Sequence, residues 1–219
     1  MKKTRSAKSF YTLIEILTVV VIAAILFGIG IPAFTTMIQG NTMTIAVREF
    51  SSKISAARAY AISNKCKVAL LLVENETHFG DQGRYSAYRV CVVDSSNNFE
   101  NWIEGENWKT LPAGVLRYEG SSAGSVNGNL IGVANVPVLG TNGSTVSNQS
   151  FQAVIFDRGG GTVNSSDISL SLTRGRCVAG VCHYTDRDSS DNTQLGQQPL
   201  VINHLTGKAA TGAFTYGKK

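Results

Sequence analysis

The chain has 219 residues, of which 43% are hydrophobic and 16% are charged, and its formal net charge is +5. Four of the 20 lysines and arginines stand near the start of the chain, at Lys2, Lys3, Arg5 and Lys8. The other 16 are matched by 15 acidic residues, so the remainder of the chain is nearly neutral. This balance gives no overall electrostatic case for a nucleic acid or another polyanion as partner.

The basic segment, residues 1–10, is followed by an apolar run that we place at residues 11–38. Within residues 13–34 the only charged side chain is that of Glu15. About 22 residues of helix span about 33 Å, enough to cross a hydrocarbon core of about 30 Å once. Basic residues ahead of such a run keep the N-terminus in the cytoplasm, so we expect the residues after it to lie outside.

The apolar run is longer than the core of a secretory signal peptide, and no small-residue cleavage site follows it. We therefore expect it to be retained.

Glu15 places a carboxylate near the start of this apolar run. An acidic residue at the centre of a membrane helix costs roughly 2.5–3.5 kcal/mol of insertion free energy. This cost favours a functional role for Glu15, although its side chain could simply extend to the interface. Pro32 removes one helical hydrogen bond and predicts a bend.

Residues 39–64 continue the helix with an amphipathic pattern, because apolar side chains recur at steps of three and four. These side chains form one predicted buried stripe: Met43, Val47, Phe50, Ile54, Ala57 and Ala61. The other faces carry charges of both signs, which favours packing on the protein's own domain over a position on a membrane surface. Asn64 and Lys65 predict the end of the helix, since Asn tolerates the left-handed conformation.

Residues 65–219 predict one β-rich domain of a size that can bury a single core. Strand-like runs lie at residues 68–73, 85–93, 115–118, 151–156, 168–172 and 200–202. Segments rich in Gly, Ser and Asn at residues 119–128 and 140–149 predict loops or hairpin tips. The fold class is therefore α+β: a long N-terminal helix, with a membrane half and an amphipathic half, packed on a C-terminal antiparallel β domain.

The four cysteines lie in the part that we expect outside the cytoplasm, where disulfides persist. Cys177 and Cys182 enclose a four-residue loop that fits a hairpin tip, so we expect a bridge between them. Cys66 and Cys91 are then a candidate second pair, although four cysteines allow three pairings. His183 could join Cys177 and Cys182 at a metal, but a zinc site needs a second ligand couple that the sequence lacks. We expect no metal and no other cofactor.

The sequence shows no signature of an enzyme. The run of three glycines at residues 159–161 is not followed by Lys-Ser or Lys-Thr and a helix, so it predicts a connection between strands and not a phosphate loop. No nucleophile with a partnered base stands out either. We therefore expect a non-enzymatic protein.

Several segments together resemble one protein family. YTLIEIL, which begins at Tyr11, resembles the F-T-L-I-E-L motif that opens the mature part of type IV pilins and type II secretion pseudopilins. Pro32 stands seventeen residues after Glu15, as a proline commonly does in that family. FSSKISAARAYAISNKCKVALLL, NWKTLPAGV and LVINHLTGKA resemble segments of the minor pseudopilins of the H type and of the minor pilins FimT and FimU. The resemblance covers the N-terminal third well and the β domain in patches.

The resemblance implies a pilin-like fold and removal of the leader by a prepilin peptidase, followed by N-methylation. The family has a small residue directly before the cut. A cut between Ser9 and Phe10 satisfies this, whereas the register set by Glu15 and Pro32 places the cut between Phe10 and Tyr11. In the family, the glutamate at the position of Glu15 pairs with the N-terminal amine of a neighbouring subunit, and the proline at Pro32 lets the helix pack into a filament.

The resemblance therefore predicts a minor pseudopilin of the H type, a structural subunit of a type II secretion pseudopilus that serves protein export. Its implied partners are other pilin or pseudopilin subunits, the prepilin peptidase, the inner-membrane assembly platform and, before assembly, membrane lipid. Its implied location is the inner membrane, crossed once with the N-terminus in the cytoplasm and the C-terminal domain in the periplasm, and then the filament.

Two alternatives stay open. The chain could be a minor pilin of a type IV pilus that captures DNA in competence, as FimT-like proteins do. The candidate DNA contacts are Arg174, Arg176, Arg187, Lys208, Lys218 and Lys219. They are scattered among acidic residues, which argues against nucleic acid as a partner. The chain could also be a β domain tethered to the membrane that never polymerises.

Overall fold

The computed structural model describes residues 12–74, 79–118, 130–139, 146–185, 196–213 and 215–216, leaving aside the side chains of residues 29–40, 139, 146 and 215–216. The chain divides into two compact units, Met1–Asn41 and Thr42–Lys219. The long first helix contributes residues to both units.

The described residues form two helices and twelve strands. The helices are α1 (Leu13–Asn64) and α2 (Gly80–Gly83). The strands are β1 (Lys67–Leu72), β2 (Ala87–Val93), β3 (Phe99–Trp102), β4 (Lys109–Thr110), β5 (Val115–Arg117), β6 (Ile131–Leu139), β7 (Val146–Phe156), β8 (Ile168–Val178), β9 (Val181–Tyr184), β10 (Gly196–Ile202), β11 (Ala209–Thr211) and β12 (Thr215–Tyr216).

The predicted apolar stripe of α1 is confirmed. Five of its six members are at most 4% exposed: Met43, Phe50, Ile54, Ala57 and Ala61. Val47, the sixth, is half-buried against the same cluster of core residues. The helix ends at Asn64, as predicted. The left-handed residue that follows is Lys65, with φ 54°, and not the asparagine.

The strands form two sheets in which neighbouring strands run antiparallel. The first sheet has the order β3-β2-β1-β7-β6, with β4 also paired to β2. The second has the order β11-β10-β8-β5, with β9 also paired to β8 and β12 to β10. A parallel bridge between Asn98, just before β3, and Ala134 in β6 joins the two edges of the first sheet. This sheet therefore curls toward closure, and its inner face can be filled by its own side chains.

The strand β1 is buried on both faces, which explains its continuous apolar sequence. Val68, Leu70 and Leu72 belong to the first core cluster, which also contains the stripe of α1 and residues of both sheets. Ala69 and Leu71 belong to the second cluster, inside the curled first sheet. A strand with one face in water alternates apolar and polar residues, whereas β1 has apolar residues on both of its buried faces. The helix followed by an antiparallel β domain is the architecture that the sequence predicts.

Several strands differ from the prediction. β7 begins at Val146, so the predicted loop at residues 140–149 is wrong for its last four residues. β6 was not predicted at all, because Gly132, Asn135 and Pro137 interrupt its alternation. The pairing of β6 with β7 shifts register around Asn135, which has φ 61°, so a β-bulge accommodates the interruption.

The cysteines follow the prediction for one pair only. Cys177 and Cys182 form a disulfide, as expected. The expected second pair is wrong, because Cys66 and Cys91 are both unbridged thiols. Cys91 lies opposite Ala69 in the β1–β2 ladder and packs in the second cluster, whereas Cys66 packs against the first cluster. The two thiols therefore belong to opposite faces of the first sheet.

Candidate assembly surface

The first part of α1 exposes large apolar side chains. Their exposed fractions run from 49% for Val21 to 83% for Leu13. The exposed side chains are Leu13, Ile14, Ile16, Leu17, Val19, Val20, Val21, Ile22, Ile25, Leu26 and Phe27. At 100° per residue these positions point to every side of the helix. We call this set the apolar collar.

The apolar collar is unlike the surface of an ordinary soluble domain. Isolated exposed apolar residues are common, but a contiguous apolar surface of this size is typical of protein–protein or membrane contacts. By contrast, the apolar stripe in the second part of α1 is buried within its own unit. The apolar collar therefore needs an apolar cover that its own helix does not supply.

Glu15 lies in the first turn of α1, inside the apolar collar, and its side chain is exposed. The backbone N–H of Glu15 donates to the hydroxyl of Thr12 at 3.3 Å and to its carbonyl at 3.1 Å. Thr12 is thus the N-cap, and Thr12-x-x-Glu15 has the spacing of a capping box, a signal that the sequence analysis missed. The helix dipole also favours a negative charge at this end.

The part of its own unit that follows Glu15 contains no basic residue. From Ile16 to Val47 the sequence contains no charged residue, and Arg48 is the first basic one. Within its own unit, a positive partner for Glu15 can therefore come only from the residues before it.

Other predicted site residues can be placed only in part. Pro32 lies within α1, but its side chain is outside the described set. Ser9, Phe10 and Tyr11 lie outside the described residues. Across the described stretches, again without the side chains of residues 29–40, there is no helix whose length and apolarity would let it cross a membrane.

Those candidate DNA contacts that the structure describes do not form one patch. Arg174 and Arg176 lie two residues apart on β8, where Arg174 is half-buried and Arg176 is exposed. Lys208 pairs with Asn203 next to the end of β10 that meets Ile168, the first residue of β8. Six residues of strand separate that end from Arg174, or roughly 20 Å. Arg187, Lys218 and Lys219 lie outside the described residues.

The second part of α1 is tied to the β domain by polar contacts as well as by its stripe. The Nε–H of Arg58 donates to the carbonyl oxygens of Gly160 and Thr206, at 3.0 and 2.6 Å. Lys53 forms an ion pair with Glu106 in the β3–β4 connection. Sequence analysis did not single out Arg58, although it stands in FSSKISAARAYAISNKCKVALLL, one of the segments that carry the family resemblance.

A second polar cluster holds the turn between β10 and β11. The Oδ1 atom of Asp167 accepts the backbone N–H of His204 at 2.8 Å and lies 2.7 Å from its ring Nδ1. These hydrogen bonds lower the pKa of Asp167, the backbone N–H of His204 contributing most. His204 is half-buried and paired with Asp167. Over the described ranges no three His, Cys, Asp or Glu residues group in a way that could hold a metal ion.

Comparisons with known proteins give one likeness. No model of a known protein family matches the chain, and no curated protein matches it. Among solved structures, the chain is similar to the type IV minor pilin FimU of Pseudomonas aeruginosa, with 12% sequence identity and a TM-score of 0.44. The likeness covers 80% of this chain and 91% of FimU. With so low an identity and score, it does not assign a function to this chain.

Proposed function

We propose that this protein is a minor subunit of a pilin-like filament, and specifically a minor pseudopilin of the H type in a type II secretion pseudopilus. Its role is structural: the apolar collar packs against the corresponding helices of neighbouring subunits, and the β domain presents loops to partners. The proposal rests on the fully apolar circumference of the first part of α1, interrupted by the single carboxylate of Glu15.

The charge of Glu15 supports assembly over simple tethering. When the apolar collar is covered by lipid or by another helix, the carboxylate loses water, and an isolated charge in low dielectric is costly. Its own unit contains no basic residue after it. A cation supplied by a neighbouring chain removes this cost only in the assembled state, and so favours assembly in one register.

The proposal includes the processing that the sequence resemblance implies. Residues 1–10 are a leader that a prepilin peptidase removes beside Phe10, and the new amine is methylated. Before assembly, residues 11–38 lie in the inner membrane with the β domain in the periplasm, and an assembly platform extracts the subunit into the filament. The mass of the mature N-terminal peptide tests this step, because it separates a start at Phe10 from one at Tyr11 and from no cleavage.

The test of assembly is Glu15→Ala in the native host. We expect the variant to stay in the membrane fraction, while its cross-linking to neighbouring subunits and the secretion of exported proteins fall by roughly tenfold or more, because one charge pair in low dielectric is lost. Thr18→Ala is the matched control: it lies one turn further along α1, and its hydroxyl donates only to the carbonyl of Glu15.

Normal secretion by Glu15→Ala would reject the assembly role and favour a tether. Loss of pili with intact secretion would instead assign the chain to a type IV pilus. DNA capture, the other alternative, predicts salt-dependent DNA binding that falls in Arg176→Ala.

A further inference from the structure

The hairpin formed by β8 and β9 has a turn that its sequence does not favour. Ala179 and Gly180, the two turn residues, are both left-handed, with φ 50° and 82°. Such a two-residue turn normally carries Asn or Gly at its first position. Alanine is disfavoured there because its Cβ approaches the backbone closely. The turn therefore needs support from outside its two residues.

Two supports act on this turn from different sides. Cys177 and Cys182 are direct partners in the β8–β9 ladder, one pair behind the turn, and their disulfide closes the hairpin. Asp81 in α2 holds the turn itself: its Oδ2 accepts the N–H of Ala179 at 2.7 Å, and its Oδ1 accepts the N–H of Gly180 at 3.0 Å. Two successive left-handed residues point their N–H groups to one side and so form a site for an anion.

A pocket of about 270 Å³, open to solvent, lies beside this contact, and residues 110–116 form much of its lining. Gly175, Arg176 and Cys177 line it on the hairpin side, and Asp81, Gln82 and Ser86 on the other. Val178 and Val181, the last ladder pair before the turn, are 48% and 58% exposed. The contact with Asp81 thus joins the hairpin turn, next to this small apolar tip, to a residue that lines the pocket.

We propose that the β8–β9 hairpin is a redox-sensitive latch: the Cys177–Cys182 bond holds the turn in the conformation that Asp81 binds, and its reduction releases the turn from α2. In the reduction a dithiol reductant supplies two electrons and two protons. The S–S bond becomes two thiols, and the reductant becomes a disulfide. The released loop regains conformational entropy, and Ala179 leaves the left-handed region.

This latch does not depend on filament assembly, because all its parts belong to one unit of a single chain. The negative charge of Asp81 also favours its contact with the turn. Arg84 places its Nε 3.9 Å from Oδ1 of Asp81. The two backbone N–H bonds lower the pKa of Asp81, and Arg84 adds to this, so the carboxylate stays charged at neutral pH.

Hydrogen exchange of the full chain in detergent micelles tests the latch. The oxidised protein is compared with the protein reduced by dithiothreitol and with oxidised Asp81→Asn. We expect the peptide that spans the hairpin to exchange roughly tenfold faster in the latter two, as a charge-assisted hydrogen bond is lost in each. Reduction of the Asp81→Asn variant should speed the exchange of the hairpin peptide only a little further, because its turn is already released. Exchange in β1 should not change.

Asp94→Asn is the matched control. Asp94 also accepts two backbone N–H groups of its own turn, from Ser96 and Asn98, but that turn carries no cysteine. The variant should loosen its own turn and leave the exchange of the hairpin unchanged. Equal exchange of the hairpin in oxidised and reduced wild type would overturn the latch, as would unchanged exchange in Asp81→Asn. Faster exchange of β1 on reduction would also overturn it, because the disulfide would then support the whole domain.

Discussion

Arg58 and Gly160 are 102 residues apart in the sequence, and one hydrogen bond joins them: the Nε–H of Arg58 donates to the Gly160 carbonyl at 3.0 Å. The same N–H also reaches the carbonyl of Thr206, in the turn before β11. One side chain of α1 therefore fixes the connection after β7 and the turn after β10. Arg58 thus ties the helix to a turn of each sheet, in addition to the ion pair of Lys53 with Glu106.

Arg58→Ala should lower the free energy of unfolding by about 1.5–3 kcal/mol, because two carbonyls lose a charged donor. The measurement is urea denaturation of the full chain in detergent. Arg48→Ala, an exposed arginine on the same helix, is the control and should change stability by no more than about 0.5 kcal/mol. Equal losses in the two variants would mean that the contacts of Arg58 contribute nothing specific.

Gly207→Ala should be more damaging than Gly105→Ala, although both glycines are left-handed, with φ 62° and 76°. A Cβ at Gly207 would overlap the carbonyl oxygen of Gly160, whereas a Cβ at Gly105 would meet nothing within 4 Å. Backbone strain alone costs about 1–2 kcal/mol, and the overlap adds about 1–3 kcal/mol at Gly207. Thermal unfolding of the two variants side by side separates the contributions. Similar melting temperatures would contradict the close approach of the two turns.

Alkylation should distinguish the two unbridged thiols. Burial raises the pKa of Cys91 to about 12, and no part of Cys91 is exposed to solvent. The pKa of Cys66 is also raised by burial, but this thiol is only half-buried. Because the thiolate is the reactive form, iodoacetamide should label Cys66 first and Cys91 only after unfolding. Mass spectrometry of the labelled peptides reads the order. Failure to label either thiol after unfolding without reductant would indicate that they are bridged.

Stability should fall as the solution becomes acidic, and Asp167 should contribute to the fall. Its pKa is lower in the folded chain than in the unfolded chain, because it accepts the backbone N–H of His204 and pairs with its ring. A lowered carboxyl pKa stabilises the fold above the unfolded value of about 4, and this contribution is lost as the pH falls through the folded value. Melting temperatures between about pH 2 and pH 6 should therefore change less in Asp167→Asn. An identical pH profile in the variant would exclude the contribution.

The predicted and the observed structures agree where the signal is local. The three-and-four spacing from Met43 to Ala61 is visible in the sequence and is the buried face of α1. The end of the helix near Asn64 and the bridge between Cys177 and Cys182 are equally local, since each involves residues at most a few positions apart. Such features follow from helical geometry and short-loop closure, and they need no knowledge of the rest of the chain.

The predictions that were wrong depend on how distant segments of the chain pair. Cys66 and Cys91 looked like partners on neighbouring strands, yet which face of the first sheet each occupies depends on the register of β1 and β2. If one of these strands shifted by one residue against the other, its side chains would move to the opposite face of the sheet. Nothing near either cysteine in the sequence sets that register. β6 was missed because its bulge at Asn135 is stabilised by pairing with β7, which the local sequence does not reveal.

The sequence by itself determined the two kinds of surface on α1: a run apolar on every side with one carboxylate, and then a single apolar stripe. Periodicity along one helix is sufficient for that. Only the tertiary structure decided that Arg58 joins turns more than a hundred residues away, that the first sheet curls around its own core, and that Asp81 holds the β8–β9 turn. Each of these contacts joins segments distant in the chain, so its geometry is fixed by how the sheets pair and pack and not by the residues beside it.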